Sequence, residues 1–246
     1  MQIAVEEYAF HAGFARERRF AFVSDLHECD SAPVLQLIRQ SGVDAVLVGG
    51  DVIHDHEKNE RGLAFLRACA AEHKTFCCIG NHERYYRGDL SALIGATGAV
   101  LLDNAAVEYD GLVIGGLSSG YTTAEVADCK KRGLLWRFQP TPPPQLSFLD
   151  DFCRMPGYKL LLCHHPEYWS RYVRQLPVEL TLSGHAHGGQ WRLFGQGVFA
   201  PGQGILPRYT SGLYQGRLLV SRGLGNPHHH VPRINNTPMI AVITLT

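Results

Sequence analysis

The sequence lacks an excess of charge of either sign. Its 23 lysines and arginines are matched by 23 aspartates and glutamates, so the formal net charge is zero when histidine is neutral. Proteins that bind nucleic acid through a broad electrostatic field usually carry a clear positive excess. We therefore expect no nucleic-acid partner, although Arg16, Arg18 and Arg19 form one local basic cluster.

Long apolar runs are also missing. No stretch of 18 uninterrupted apolar residues occurs, which argues against a helix that spans a membrane. The first 20 residues carry charges throughout and have no apolar segment of the kind found in signal peptides. These two features predict a cytoplasmic protein.

The cysteines do not form a pattern typical of disulfides or of a metal-binding CxxC pair. There are seven of them, an odd number, and most lie inside apolar runs such as TFCCIG. Free cysteines behave as small apolar side chains and are usually buried in proteins of reducing compartments. The pattern again indicates a cytoplasmic protein with reduced thiols.

The sequence does contain an alternation of short apolar runs and amphipathic segments. The apolar runs predict buried strands at 19–24, 44–50, 74–80, 112–118 and 159–165. Segments 31–42 and 58–72 have helical spacing of apolar residues. The first lies between the strands at 19–24 and 44–50, and the second between those at 44–50 and 74–80. This order predicts an α/β fold with largely parallel pairing. The linker-like PTPPPQ at 140–145 is too short to separate domains, so we expect one domain over residues 1–246.

The last third of the chain has a different composition. From Gly184 to Gly225 it is rich in glycine and proline and carries scattered aromatic residues, which argue against disorder. Long loops of this kind in compact domains are usually functional. Trp191 and Phe194 are our candidates for contacting an apolar part of a substrate. The alternative is that they pack the loop against the core. Two strand-like runs, RLLVSR and MIAVITLT, close the chain.

Metal-ligand residue types stand at the ends of four of these apolar runs and of a fifth, LTLSG at 180–184. In chain order they are Asp25 and His27, Asp51, Asn81, His164, and His185 and His187. Each has a simpler interpretation when taken alone, such as a helix N-cap for an aspartate or a turn for the asparagine. Open α/β sheets, however, place their sites beyond the carboxyl ends of the strands. Their recurrence at five strand ends therefore favours a metal centre.

The types of these ligands narrow the metal chemistry. Two carboxylates, one amide oxygen and four imidazoles form a mixed oxygen and nitrogen set without thiolate. Such a set suits manganese, iron or zinc better than calcium or magnesium, which prefer oxygen alone. Seven ligands exceed the need of one ion, whereas two ions about 3.5–4 Å apart with a bridging carboxylate would use them all. We expect two divalent metal ions of one of these three elements.

Five ordered blocks resemble the motifs of the calcineurin-like metallophosphoesterase superfamily. They are Asp25-x-His27, Gly50-Asp51, Gly80-Asn81-His82-Glu83, His164-His165-Pro166 and Gly184-His185-Ala186-His187. The segment after the last block further resembles the YkuE/YaeI-like bacterial phosphodiesterase branch, whose members often carry an N-terminal membrane segment. The resemblance implies a four-layer α/β/β/α sandwich, with two mixed β-sheets flanked by helices. It also implies metal-dependent hydrolysis of phosphoesters.

The resemblance also implies a role for each motif residue. One ion would be held by Asp25, His27, Asp51 and His187, and the other by Asp51, Asn81, His164 and His185, with Asp51 bridging. His82 would contact the phosphate and help to protonate the leaving oxygen. Many family members orient this histidine with an acid three residues after the bridging aspartate. Here that position is His54, followed by Asp55, so the orienting partner has two candidates.

The expected activity is that of a two-metal phosphodiesterase acting on a small or lipid-linked phosphoester. A lipid-linked substrate would require only transient contact with a membrane surface. The alternatives are a phosphomonoesterase of the same fold and a non-catalytic scaffold, which would be expected to have lost ligands or His82. A zinc peptidase is disfavoured because the chain has no H-E-x-x-H motif.

Overall fold

The computed structural model describes residues 2–125, 138–226 and 231–246. Within these residues the strands are β1 Ala4–Phe10, β2 Arg18–Val23, β3 Ala45–Val48, β4 Lys74–Cys78, β5 Val100–Leu102, β6 Ala105–Tyr109, β7 Leu112–Leu117, β8 Tyr158–Cys163, β9 Leu180–Ser183, β10 Arg192–Leu193, β11 Gln196–Gly197, β12 Phe199–Ala200, β13 Gly204–Ile205, β14 Gly212–Tyr214, β15 Leu218–Val220 and β16 Met239–Leu245. The α-helices are α1 Ala32–Gln40, α2 Glu60–Glu72, α3 Leu90–Gly95, α4 Leu146–Arg154 and the short α5 Pro166–Tyr168. A π-helical turn, Trp169–Val173, continues α5.

Two six-stranded sheets contain most of these strands. The first sheet has the order β1-β16-β2-β3-β4-β5, and the second has the order β14-β15-β9-β8-β7-β6. Most pairs are parallel, but β16 runs antiparallel to β2, β14 to β15, and β6 to β7. Both sheets are therefore mixed.

The two sheets share an apolar core between them. Its buried side chains come from strands of both sheets and include Phe22, Leu47, Phe76, Ile114 and Leu160. All five are almost inaccessible to solvent. Because strand side chains alternate between faces, the remaining apolar residues of each strand must be covered on the outer side.

Helices cover both outer faces. On the first sheet, Val34 and Ile38 of α1 and Leu66 of α2 pack against strand residues such as Val46. On the second sheet the side chains of α4 and of the π-helical turn play the same part, including Phe152 and Trp169. The result is the expected four-layer α/β/β/α sandwich.

The strands and helices predicted from the apolar pattern are confirmed. Each of the five apolar runs forms a strand, the two amphipathic segments form α1 and α2, and the two closing runs form β15 and β16. Strand β1 was not predicted, because only every second residue is shielded and its charged residues obscure the pattern. Its register with β16, from Ala4 beside Met239 to Phe10 beside Leu245, comes from distant parts of the chain.

The glycine-rich segment from Gly184 to Gly225 is less irregular than its composition indicates. It forms the small hairpins β10–β11 and β12–β13 and then the strands β14 and β15. In the described part of the chain, no helix has the length and apolar character needed to cross a bilayer.

The described cysteines are all free. Cys69, Cys77, Cys78 and Cys163 are buried, and Cys29 and Cys153 are partly exposed. Burial raises the pKa of the Cys69 thiol to about 12. The seventh, Cys129, lies outside the described residues.

Candidate metal centre

The seven predicted metal ligands meet at one place in the fold. Those of the first sheet follow β2, β3 and β4, and those of the second follow β8 and β9, at the carboxyl ends of these strands. Backbone hydrogen bonds tie the loops together within each sheet, from Asp25 N to Gly50 O and from Gly184 N to His164 O, both 3.0 Å long. All seven side chains are buried, the most exposed being His187 at 7%. The site therefore lies where the edges of both sheets come together.

The backbone at these ligands is unusual. Five of the seven adopt positive φ angles between 45° and 65°: Asp25, His27, Asp51, His185 and His187. Residues with a Cβ rarely adopt this conformation, and strained backbone of this kind is concentrated at functional sites. These turns direct the ligand side chains into the site immediately after each strand ends.

Two glycines of the motifs allow the loops to approach the carboxylates. A Cβ atom placed on Gly184 would lie 2.5 Å from Asp25 Oδ2, and one on Gly80 would overlap Asp51 Oδ1. The glycine before His185 is thus required by close contact with a carboxylate of the other sheet. Its amide neighbour, His185 N, donates hydrogen bonds of 3.0 and 3.1 Å to both Asp25 oxygens.

The first group of ligand atoms surrounds Asp25. His187 Nε2 lies 3.4 Å from Asp25 Oδ1 and 3.4 Å from His27 Nε2. His27 Nε2 is also 4.0 Å from Asp51 Oδ2. One ligand atom from each of Asp25, His27 and His187 lies within 4.8 Å of the others, a spacing that one metal ion could bridge. They are three of the four residues expected to hold the first ion, the fourth being Asp51.

The second group surrounds Asp51. One ligand atom each from Asp51, His164 and His185 again lies within 4.8 Å of the others. His164 Nε2 is 3.3 Å from Asp51 Oδ2 and 4.0 Å from Asp25 Oδ1. Asp51 Oδ2 thus faces a histidine of each group, as a bridging carboxylate would.

Two buried polar atoms show that this arrangement fits a cation. Neither Asn81 Oδ1 nor His164 Nε2 has a hydrogen-bond partner among the described residues. Leaving such atoms unpartnered in a buried site is costly, and a coordinated metal ion would satisfy both. His164 Nδ1 donates to Gly49 O at 2.7 Å, which leaves Nε2 as the nitrogen available for coordination.

The electrostatics of the site agree with this interpretation. Burial lowers the pKa of His185 to about 3, and it holds that of His27 well below the usual range, so both rings stay neutral. Burial also lowers the pKa of His164, but Asp51 outweighs it and raises that pKa to about 10. The same pairing holds the pKa of the Asp51 carboxyl well below the usual range, although burial alone would raise it. The carboxylates thus stabilise a positive charge beside His164. A bound metal ion would supply that charge in place of the proton on His164.

His82 lies beside these groups but is held differently. Its backbone N–H donates to Asp51 Oδ1 at 2.8 Å, and its ring Nδ1 lies 2.6 Å from the backbone oxygen of His54. The His54 ring lies beside the His82 ring, with centroids 4.8 Å apart, and beside the His27 ring, at 5.4 Å. The Asp55 carboxylate accepts from Glu57 N at 3.0 Å. His54 thus contacts His82 through its ring and also supplies the backbone carbonyl that accepts from His82 Nδ1.

Glu83 is a buried residue of the site for which the sequence predicted no role. Its carboxylate accepts hydrogen bonds from Gly80 N at 2.8 Å, Asp51 N at 2.9 Å and Val52 N at 2.8 Å. It therefore fixes the loop after β3 against the loop after β4. Burial raises the pKa of this carboxyl, and Asp51 adds to the effect. The Gly-Asn-His-Glu motif contained the signal, since its acid directly follows the ligand and the candidate acid catalyst.

Four other residues near the ligands were also not assigned a role. His165 and Glu167 are buried beside His185, and Ser119 Oγ lies 2.8 Å from His165 Nε2. The structure thus places His164, and not His165, next to Asp51. Arg233 Nη2 lies 3.3 Å from His187 Nδ1 and brings a guanidinium to the edge of the site. No local motif marks Arg233, because it reaches the site from just before β16.

Trp191 and Phe194 do not lie among the metal ligands. Trp191 is 41% exposed, and its indole N–H donates to Pro232 O at 2.9 Å. Phe194 is fully exposed at the turn between β10 and β11. Packing of the loop against the core therefore does not account for Phe194.

Comparisons with known proteins agree with the geometry. The family model for calcineurin-like phosphoesterase matches residues 18–189. The chain is 31% identical to phosphodiesterase YaeI of Escherichia coli (strain K12), over 96% of this chain and 85% of that protein. It is 30% identical to YkuE of Bacillus subtilis (strain 168), an uncharacterized metallophosphoesterase, over 88% of this chain and 72% of that one.

A solved structure, the phosphopantetheinyl hydrolase PptH of Mycobacterium tuberculosis, aligns with 86% of this chain and 91% of its own, at 16% identity and a TM-score of 0.48. The family-model match covers more than half of the chain, and both curated relatives align over most of it. The chain therefore belongs to the calcineurin-like phosphoesterase family and is a metal-dependent phosphoesterase.

Proposed function

We propose that this protein is a two-metal phosphodiesterase. The observation that carries the proposal is the position of Asp51, whose carboxylate stands between two clusters of buried ligand atoms. The similarity to a phosphodiesterase over nearly the whole chain supports diesters as the substrate class.

The two ions are assigned to the clusters as the family resemblance implies. The first is held by Asp25, His27, Asp51 and His187, and the second by Asp51, Asn81, His164 and His185. Bound there, two divalent ions supply a nucleophile from water at neutral pH and neutralise charge on the phosphoryl oxygens. The mixture of imidazole and oxygen ligands supports manganese, iron or zinc.

His82 acts on the leaving group in this proposal. Its Nδ1–H is engaged by the His54 carbonyl, so Nε2 is the nitrogen that remains to exchange a proton with substrate. The ring is only partly buried, which leaves it accessible to a substrate. When protonated, it donates to the oxygen that departs from phosphorus. Glu83 holds the loops that carry His82 and Asp51 in register.

Residues 1–246 are proposed to form a single metallophosphoesterase domain. Strand β16, near the end of the chain, pairs with both β1 and β2, and the core between the sheets draws on both halves of the sequence. The buried cysteines support a reducing compartment, the cytoplasm.

The proposed substrate is a phosphodiester with an apolar or bulky portion, and Trp191 and Phe194 are proposed to contact that portion. Their support is their exposure on the segment that begins directly after His187. A lipid-linked phosphoester belongs to this class. A phosphomonoesterase is the alternative, since the same two-metal chemistry serves both substrates.

Turnover of bis-(p-nitrophenyl) phosphate and of p-nitrophenyl phosphate, compared at the same manganese concentration, tests this proposal. The diester should be preferred, and replacing Trp191 and Phe194 by alanine should raise the KM for diesters with a large apolar group. A clear preference for the monoester that the two replacements leave unchanged would contradict both the substrate class and the role of the aromatic residues.

A further inference from the structure

The two hairpins that follow the metal ligands present large apolar side chains to solvent. The exposed fractions are 56% for Leu193, 110% for Phe194, 69% for Ile205 and 67% for Leu206. We call these four residues the apolar tips. Single exposed apolar residues are ordinary, but a group of this size marks a binding surface.

The hairpins that carry the apolar tips lie next to each other. Leu206 N donates to Val198 O at 2.9 Å, and the side-chain amide of Gln196 donates to Pro207 O at 2.8 Å. Val198 N in turn donates to Trp191 O at 2.9 Å. These hydrogen bonds hold the two segments that carry the apolar tips side by side.

Two of the apolar tips stand in an unfavourable backbone conformation. Phe194 and Leu206 both have a φ angle of 50°, which favours glycine and is a genuine outlier for bulky side chains. Burial gives no stabilisation in return, because both side chains are exposed. A contact with another molecule would offset the cost of this conformation.

The part of the chain that carries the apolar tips contains basic residues and no acidic ones. From Leu180 to Thr246 the sequence has five arginines and no aspartate or glutamate. Because the whole chain is formally neutral, residues 1–179 carry a formal net charge of −5. Arg208, two residues after Leu206, is exposed. Arg222 is paired with Glu6 of β1 at 2.7 Å, whereas Arg208 carries an exposed positive charge near Leu206.

We propose that the apolar tips and Arg208 dock the protein onto an anionic lipid bilayer. Apolar side chains enter the boundary between headgroups and acyl chains, and arginine pairs with lipid phosphates. The docking surface starts six residues after His187, and Arg192 Nη1 donates to Gly188 O at 2.9 Å, so docking brings the metal centre close to the membrane surface. This inference goes beyond the proposed function, and its test needs no turnover.

Co-sedimentation with vesicles tests the inference directly. The full chain should bind phosphatidylcholine vesicles that contain phosphatidylglycerol, and should bind pure phosphatidylcholine vesicles much more weakly. The double variant Ile205→Ser/Leu206→Ser should lower the partition coefficient by about tenfold or more. The matched double variant Val5→Ser/Leu146→Ser, which removes two exposed apolar side chains elsewhere, should bind like the wild type.

The charge component has its own pair of variants. Arg208→Ala should lower binding to anionic vesicles by about fivefold at low salt. Arg154→Ala, which removes an exposed arginine of α4, should leave binding unchanged. Circular dichroism would confirm that each variant is folded.

Three outcomes would overturn the inference. The first is that the wild type binds neither kind of vesicle, or both equally. The second is that the two double variants bind alike. The third is that light scattering finds a dimer that Ile205→Ser/Leu206→Ser dissociates while vesicle binding stays unchanged, which would assign the surface to a second copy of the chain.

Discussion

At the scale of single residues, Asp51 connects the parts of the site. Its Oδ2 lies 3.3 Å from His164 Nε2 and 4.0 Å from His27 Nε2, and its Oδ1 accepts from His82 N. Asp51→Ala should therefore lose more than one equivalent of metal, whereas Asn81→Ala should mainly weaken one site. Elemental analysis of the purified variants measures this. If Asp51→Ala retains both metals as well as the wild type does, Asp51 does not bridge.

His82 should separate catalysis from metal binding. Because its ring is held by the His54 carbonyl and is proposed to act on the leaving group, His82→Ala should keep its metal but lose roughly 10²–10⁴-fold in turnover. The loss should be smaller for substrates whose leaving groups need no proton, such as p-nitrophenyl esters. Metal content and kcat for both kinds of substrate are the measurements. A collapse of metal content would make His82 a ligand.

Glu83 should stabilise the site through its hydrogen bonds to the backbone. Glu83→Gln replaces a charged acceptor of several N–H groups by an amide that turns one donor toward them. We expect the free energy of unfolding to fall by about 2–3 kcal/mol. Urea unfolding measures it, with the exposed Glu57→Gln as the control. Equal stabilities of the two variants would show that the Glu83 carboxylate is dispensable.

At the scale of elements, the loop after β9 depends on a glycine for steric reasons. Gly184→Ala would place a Cβ 2.5 Å from Asp25 Oδ2, so it should displace that carboxylate and weaken the ion held with His27 and His187. Gly95→Ala in α3 is the matched control, since its Cβ would meet no atom within 4 Å. The control should keep its metal and gain up to about 1 kcal/mol of stability from helix propensity.

Metal content and the melting temperature of both glycine variants test this steric explanation. If Gly184→Ala binds metal as well as Gly95→Ala does, then the loop moves freely enough to absorb a methyl group. The close approach of β9 to Asp25 would then not explain the glycine before the two histidines.

At the scale of the whole molecule, the metal centre joins the two sheets. Asp25 and Asp51 follow strands of the first sheet, and His164 and His185 follow strands of the second. A metal that binds the folded state alone stabilises it by about 2.7 kcal/mol at a concentration one hundred times its Kd. Removal of metal by a chelator should lower Tm, and manganese should restore it. Asp51→Ala should show no such shift, whereas an equal shift in that variant would place the stabilising ion elsewhere.

Several features of the protein followed from the sequence alone. Local patterns of apolar residues predicted the strands β2, β3, β4, β7 and β8 and the helices α1 and α2. The ligand residues could be found for the same reason, since each stands just after β2, β3, β4, β8 or the apolar run that forms β9. The order of the blocks, from Asp25 to His187, was enough to indicate the family.

Other features depended on the tertiary structure. Strand β1 pairs with the far end of the chain, the partner of His82 is a backbone oxygen, and Glu83 accepts hydrogen bonds from a loop some thirty residues earlier. The sequence could not show that Phe194 would be exposed while Arg233 reaches His187. A local pattern records which residues are apolar and where a strand ends. Contacts between distant segments leave no local pattern in the sequence, and backbone atoms are the same in every residue. Only the folded chain therefore decides which of these contacts form.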